Sequence, residues 1–179
     1  GGQDAYDMIS KQVEKIPAGS DGLVMLPHLS GSLAPDVNSK AKGVWFGFTL
    51  QHTMPHFMRS IMESLGYILR RNIEALNDMG IRVKEIRSLG GGSKSRVWCQ
   101  IKADINQVTL ETVKSVEAAS AILAGTATGI FESVESAVDS MVEVKERITP
   151  SAHNREAYEK GYAMYRKLFS DLTECFEKM

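Results

Sequence analysis

The residues best suited to chemistry form a glycine-rich loop near the middle of the chain. Residues 89–95 read Leu-Gly-Gly-Gly-Ser-Lys-Ser and lie between a predicted strand and a predicted helix. Glycines let backbone N–H groups approach an anion, and a helix N-terminus adds partial positive charge. Lys94 adds a full charge. Taken alone, the loop leaves two interpretations open: a site for a nucleotide phosphate or adenosine, and a tight turn that binds nothing.

Two known phosphate-binding motifs match this loop only in part. A Walker A motif places glycine directly before its lysine, whereas here Lys94 follows Ser93. Residues 90–95 supply two glycines of a dinucleotide fingerprint, but Ser95 stands in the third small-residue position. Glu111, about 20 residues later, would be the ribose-binding acid. An NAD-binding fragment of a dehydrogenase is therefore an alternative, weakened by the three elements and the long helix that precede the loop.

The histidines and cysteines show no metal or nucleophile pattern. His52 and His56 have a metal-ligand spacing, but Pro55 begins a helix between them and places His52 outside it. A capping or core role is favoured for both. Cys99 and Cys175 lack metal-ligand spacing and are predicted to be free thiols in a reducing cytoplasm.

Composition narrows the class of protein. The chain has 179 residues, 43% of them hydrophobic, which is ordinary for one globular domain and excludes a disordered chain. Lys plus Arg number 21 and Asp plus Glu 22, so the near-neutral charge argues against a nucleic-acid partner. The longest uncharged stretch, residues 43–58, contains Pro55 and two histidines, so no membrane span is predicted. The N-terminus lacks a signal-peptide pattern, and a cytoplasmic location is expected.

The elements that would position the loop alternate between helix and strand. Strands are predicted at 22–26, 43–50, 81–89 and 108–113. Helices are predicted at 4–16, 55–80, 93–105, 115–128, 131–144 and 151–179, with Ser93 as the cap of the third. This alternation predicts an α/β fold.

The last predicted helix carries an aromatic stripe. Its members recur at steps of four and three residues: Tyr158, Tyr162, Tyr165, Phe169, Leu172, Phe176 and Met179. Such a stripe is an a/d seam. Docking against the helix's own domain is favoured, and a homodimer seam is the alternative.

Segments in order along the chain resemble signatures of the FGGY carbohydrate kinases. Residues 26–35 contain Leu-Pro-His-Leu-Ser-Gly and then Ala-Pro, similar to the Leu-Pro-x-Leu-Ser-Gly-x-x-x-Pro stretch of that family. Residues 43–63 resemble its second signature. Residues 89–104 and 117–125 resemble the adenosine-side motif of xylulokinase-like members and the helix that follows it.

The resemblance implies a fold and a ligand. It implies that residues 1–179 are the C-terminal nucleotide-binding domain of such a kinase, with a ribonuclease-H-like (actin/hexokinase-like) fold whose first strands lie upstream. The ligand would be ATP, with Mg²⁺ bound through it. By resemblance, the site residues are Gly90, Gly91, Gly92, Ser93 and Arg96. Three of them, Gly91, Gly92 and Ser93, would line the adenosine and α-phosphate region, and Arg96 would face the adenine.

The same resemblance implies that parts of the enzyme lie outside this sequence. No aspartate here is followed by the Asp-x-Gly-Thr/Ser phosphate motif, and the catalytic Asp is expected upstream of Gly1. No catalytic residue and no metal ligand is therefore assigned within the chain. The sugar would bind through an N-terminal domain. Xylulose is favoured; Ser32-Leu33, where many xylulokinase-like members have Glu-Arg, leaves another ketose, a sugar acid or a polyol open. A non-catalytic actin-like nucleotide-binding module is a further alternative.

We expect the 179-residue chain to show no sugar kinase activity, because the phosphate motif and the catalytic base are absent from its sequence. A coupled assay of ADP release with ATP, Mg²⁺ and a panel of ketoses and polyols measures this. Sugar-dependent turnover at ordinary enzyme rates, about 1–10³ per second, would contradict the expectation.

Overall fold

A computed structural model describes residues 5–114 and 118–179. The helices are α1 (Ala5–Val13), α2 (Met54–Asp78), α3 (Arg96–Asn106), α4 (Ala118–Ala127), α5 (Val134–Met141), α6 (Arg155–Asp171) and α7 (Thr173–Glu177). The strands are β1 (Val24–Pro27), β2 (Gly43–Phe46), β3 (Glu85–Ser88), β4 (Thr109–Val113) and β5 (Val144–Ile148). This mixture confirms the predicted α/β class.

The strands form two separate small sheets in the described residues. β3 and β4 are parallel and are joined through α3, and β5 pairs with β4 in the antiparallel direction. β1 and β2 form an antiparallel ribbon. A small core of Cys99, Ala103, Leu110 and Ile148 lies between α3 and the three-stranded sheet. The crossover helix is thereby fixed with its N-terminus beside the end of β3.

The larger core joins α2, α6 and β1. Tyr158, Tyr162 and Tyr165 are buried, and the rings of the last two lie 5.8 and 5.6 Å from that of Tyr67 on α2. The aromatic stripe of α6 therefore packs within its own chain, as the favoured interpretation predicted. The homodimer stays a prediction.

Buried polar groups tie distant elements to this core. Asp104 of α3 accepts hydrogen bonds from the Ser151 N–H at 2.7 Å, from the Asn154 amide at 2.8 Å and from the Gln100 amide at 2.7 Å. The carboxylate is buried, so these three donors offset the cost of removing it from water. They hold the start of α6 against α3.

Several predicted boundaries are wrong. The predicted helix 131–144 ends at Met141, and the next residues form β5, a strand missing from the prediction. Ser93 does not cap α3; Ser95 does, because a short 3₁₀ turn from Gly91 to Lys94 comes first. The terminal helix is divided at Leu172, and Met179 is exposed. The predicted start of a helix at residue 115 lies outside the described residues.

Gly161→Ala tests the packing of α6 on α2. Alanine in a helix interior normally stabilises a protein by about 0.5–1 kcal/mol relative to glycine. Here the added Cβ would lie 2.1 Å from the Tyr67 hydroxyl oxygen, in a buried contact. We expect a loss of about 1–3 kcal/mol in the free energy of unfolding, measured by urea denaturation.

Tyr67→Phe supplies the matched background for this test. Removing the hydroxyl removes the closest clash, so Gly161→Ala should cost much less in that background. A stabilising effect of Gly161→Ala in the unchanged chain would show that the two helices do not meet at this point.

Candidate functional site

The glycine loop connects β3 to α3 with a defined geometry. Gly90 has φ 76°, a left-handed conformation that favours glycine. The 3₁₀ turn of residues 91–94 follows, and the Ser95 hydroxyl then accepts a hydrogen bond from the Trp98 N–H at 3.4 Å. The loop therefore contains two helical N-termini in succession: first that of the 3₁₀ turn, then that of α3.

The N-terminal end of the 3₁₀ turn offers free donors. The Ser93 N–H and hydroxyl both donate to the Gly90 carbonyl, at 3.1 and 2.7 Å. Within residues 5–114 and 118–179, the N–H groups of Gly91 and Gly92 have no hydrogen-bond partner in the protein. Unpaired N–H groups at a helix start attract anions. The geometry therefore fits the phosphate site that the sequence left open, and phosphate binding itself stays a prediction.

The three glycines are required for different reasons. A Cβ at Gly92 would lie 2.9 Å from the Trp98 ring, so this glycine is needed for packing inside the protein. A Cβ at Gly91 would meet nothing within 4 Å. Gly91 therefore faces open space, where a ligand has room, and Gly92 does not.

A cavity of about 560 Å³ adjoins the loop. Its walls come from α1, α2, α3 and the start of α6. Lys94, Ser95 and Arg96 form the rim on the loop side; Gly90, Gly91, Gly92 and Ser93 are not part of the lining. Apolar lining residues are Ile16, Pro17, Ala18, Val97 and Ile101. The volume lies in the usual range for small-molecule sites.

The wall formed by α1 was not predicted. The Ser10 hydroxyl lies 2.9 Å from the Ser95 hydroxyl, which joins α1 to the cap of α3. Asp7 and Lys11 line the same cavity from α1, and Glu14 lines it just after the end of that helix. No sequence signal links α1 to the loop, because the contact spans 85 residues and involves two ordinary serines.

Arg96 lies at the cavity rim, where the resemblance places an adenine-facing residue. Its Nε donates to the Glu146 carboxylate of β5 at 2.9 Å, and its side chain is 71% exposed. Exposed ion pairs contribute about 0–1 kcal/mol. Arg96 can therefore exchange Glu146 for a bound ligand at little cost.

Glu111 cannot serve as the ribose-binding acid of the dinucleotide alternative. It lies in the middle of β4, fully buried, rather than at a strand end. Arg147 and Arg87 donate to its two carboxylate oxygens, and these hydrogen bonds lower the pKa of Glu111. With both oxygens occupied, the side chain holds the sheet together across three strands.

His56 caps the start of α2, and His52 closes the turn that precedes it. The Thr49 N–H donates to His52 Nδ1 at 2.8 Å. His56 closes a capping box with Thr53 at the start of α2, and its Nε2 lies 3.1 Å from the Asp21 carboxylate.

The described parts of the chain contain no group of three or more His, Cys, Asp or Glu side chains placed to hold a metal ion. In those same parts, no helix has the length and apolar character to cross a membrane.

The segment that contains the loop and the β3–α3–β4 unit matches a known family of proteins. The sequence model of the FGGY family of carbohydrate kinases, C-terminal domain, matches residues 4–128, more than half of the chain. The chain therefore belongs to this family, as its motifs predicted.

Individual relatives agree with this assignment. The chain is 32% identical over 169 residues to the xylulose kinase of Staphylococcus epidermidis, and 33% identical over 180 aligned positions to the gluconokinase of Bacillus subtilis. These alignments cover 93% and 98% of this chain but 34% of each relative. The solved xylulose kinase from Rhodospirillum rubrum matches with a TM-score of 0.84 at 28% identity, over 99% of this chain and 36% of that one. The chain thus spans about a third of its relatives' length, and the predicted actin/hexokinase-like fold is confirmed.

Gly91→Asp tests whether the loop binds a phosphate. The new carboxylate would stand in open space beside the free N–H groups and repel an anion, so we expect the dissociation constant for ATP to rise about tenfold or more. Isothermal titration calorimetry measures it.

Gly91→Ala is the control, since its methyl group adds bulk without charge. Gly92→Asp is unsuitable for this test because its side chain would disturb Trp98 before it met any ligand. Equal ATP affinity of Gly91→Asp and the unchanged chain would show that the loop is only a turn.

Proposed function

We propose that residues 1–179 are the nucleotide-binding domain of an ATP-dependent carbohydrate kinase that phosphorylates a sugar hydroxyl. The observation that carries this proposal is the pair of unpaired N–H groups at Gly91 and Gly92, next to a cavity with an apolar wall. Family membership supports it, because the loop is the segment that resembles the adenosine-side motif.

In this proposal the base of the nucleotide binds in the cavity and its phosphates bind at the loop. The base enters the cavity against Val97 and Ile101, and Arg96 lies over it at the rim. The phosphates lie at the free N–H groups, with positive charge from Lys94 nearby. Apolar walls with a few placed polar groups are typical of such sites.

Mg²⁺ would accompany the triphosphate rather than be held by this domain. The residues described, 5–114 and 118–179, do not present the carboxylate cluster that would bind it alone. When bound, the ion neutralises charge on the phosphates. The chain's own contribution is to bind and orient the nucleotide.

Phosphoryl transfer depends mainly on positioning and charge stabilisation. The proposed role of this domain is to hold the γ-phosphate in line with a sugar bound by a second domain, which also supplies the catalytic base. Closure of the two domains would exclude water. Xylulose is the favoured sugar, because xylulose kinases from several bacteria resemble the chain. Gluconate is the second candidate, because a gluconokinase is 33% identical to it. A cytoplasmic location and a homodimer belong to the same proposal.

Calorimetric titration of the 179-residue chain with ATP, ADP and NAD⁺ tests the function. We expect ATP and ADP to bind, in the presence of Mg²⁺, with dissociation constants in about the 1 μM–1 mM range typical of enzyme substrates. NAD⁺ should bind much more weakly. Preference for NAD⁺, or no adenine-nucleotide binding by a chain that melts cooperatively, would contradict the proposal.

A further inference from the structure

A buried thiol lies directly beneath the glycine loop. Cys99 of α3 is fully buried and belongs to the small core with Ala103, Leu110 and Ile148. Its Sγ lies 3.7 Å from the Gly92 carbonyl oxygen and 3.6 Å from the Ser93 carbonyl oxygen. The thiol therefore reaches both carbonyls at the C-terminal end of the 3₁₀ turn.

The direction of the turn decides where its free donors point. In any helical turn, the carbonyls point toward the C-terminal end and the N–H groups toward the N-terminal end. The Gly92 and Ser93 carbonyls share their peptide planes with the N–H groups of Ser93 and Lys94. A donor that holds these two carbonyls therefore fixes the conformation of the turn, and through the turn the direction of the N–H groups of Gly91 and Gly92 at its start. Burial raises the pKa of the Cys99 thiol, so the group keeps its proton at neutral pH and can donate.

Trp98 holds the same peptide from a second side. Its ring lies so close to Gly92 that a Cβ there would be 2.9 Å from ring atom Cζ3. Trp98 and Cys99 are consecutive residues in the first turn of α3, so one helix start carries both contacts. The loop is thus fixed in direction by the thiol and in position by the indole ring.

We propose that Cys99 is a positioning residue for nucleotide binding, whose single S–H donor, shared between two carbonyls of the turn, aims the N–H groups of the glycine loop at the phosphate. This proposal rests on the proposed function. Cys99 itself is shielded from the ligand by the loop and touches no phosphate. The loss of its shared hydrogen bond should therefore weaken nucleotide binding while the chain stays folded.

The test compares Cys99→Ala with Cys99→Ser and with the control Cys175→Ala, which removes the other, exposed thiol. Calorimetry gives the ATP dissociation constant of each variant at a temperature where its melting curve shows it fully folded. We expect Cys99→Ala to weaken ATP binding about fivefold, the effect of one lost hydrogen bond. Cys99→Ser keeps a donor and should stay within about twofold of the unchanged chain, as should Cys175→Ala.

Amide hydrogen exchange provides a readout without nucleotide. The Ser93 N–H is protected by its bond to Gly90, and Cys99→Ala should speed its exchange several-fold while the amides of β4 exchange as before. A chain that binds no ATP contradicts the proposed function, and the exchange of Ser93 still decides the role of Cys99. Unchanged ATP affinity of Cys99→Ala, unchanged Ser93 exchange, or equal weakening by Ala and Ser would each overturn the proposal.

Discussion

The ion pair between Arg59 and Glu63 is the contact on which the arrangement around the cavity depends. Both side chains are buried, and Arg59 Nε donates to Glu63 at 2.8 Å. Such a pair is favourable only when hydrogen bonds replace the lost water. Here Arg59 also donates to the Val13 carbonyl and the Tyr158 hydroxyl, and Glu63 accepts from the turn at Gly19 and Ser20. The end of α1, the interior of α2 and the start of α6 are therefore held at one point.

These contacts also fix the positions of the cavity walls and of the glycine loop. Arg59 and Tyr158 both line the cavity, so the arginine of the charged pair also forms part of the cavity wall. Asp104 fixes the other side by joining α3 to the start of α6. The glycine loop can be short because the helix that follows it is held at both ends, by the Ser10–Ser95 contact and by Asp104.

Sequence patterns predicted what depends on local periodicity and missed what depends on distant contacts. The 25-residue helix α2 was foreseen because one apolar face and a proline at its start define it. β5 was missed because its sequence, Val-Lys-Glu-Arg-Ile, has charges at three of five positions and only Ile148 is buried. The cap was misassigned because Ser93 and Ser95 are equivalent in sequence, and only the 3₁₀ turn separates them. Around the candidate site, the sequence indicated the loop and Arg96 as neighbours because they are adjacent in the chain, whereas their contacts with α1 and Glu146 come from elements far away in sequence.

The charged residues that made β5 hard to predict are also appropriate for a strand at the edge of a sheet. In the part of the chain that the structure describes, β5 lies at the edge of the three-stranded sheet and pairs with β4 on one side. An exposed edge strand can pair with a strand of another chain. Charged side chains on the edge strand, especially lysine, disfavour such pairing. Lys145, Glu146 and Arg147 occupy the middle of this strand. They therefore protect the sheet against aggregation, while Glu146 holds Arg96 at the rim of the cavity.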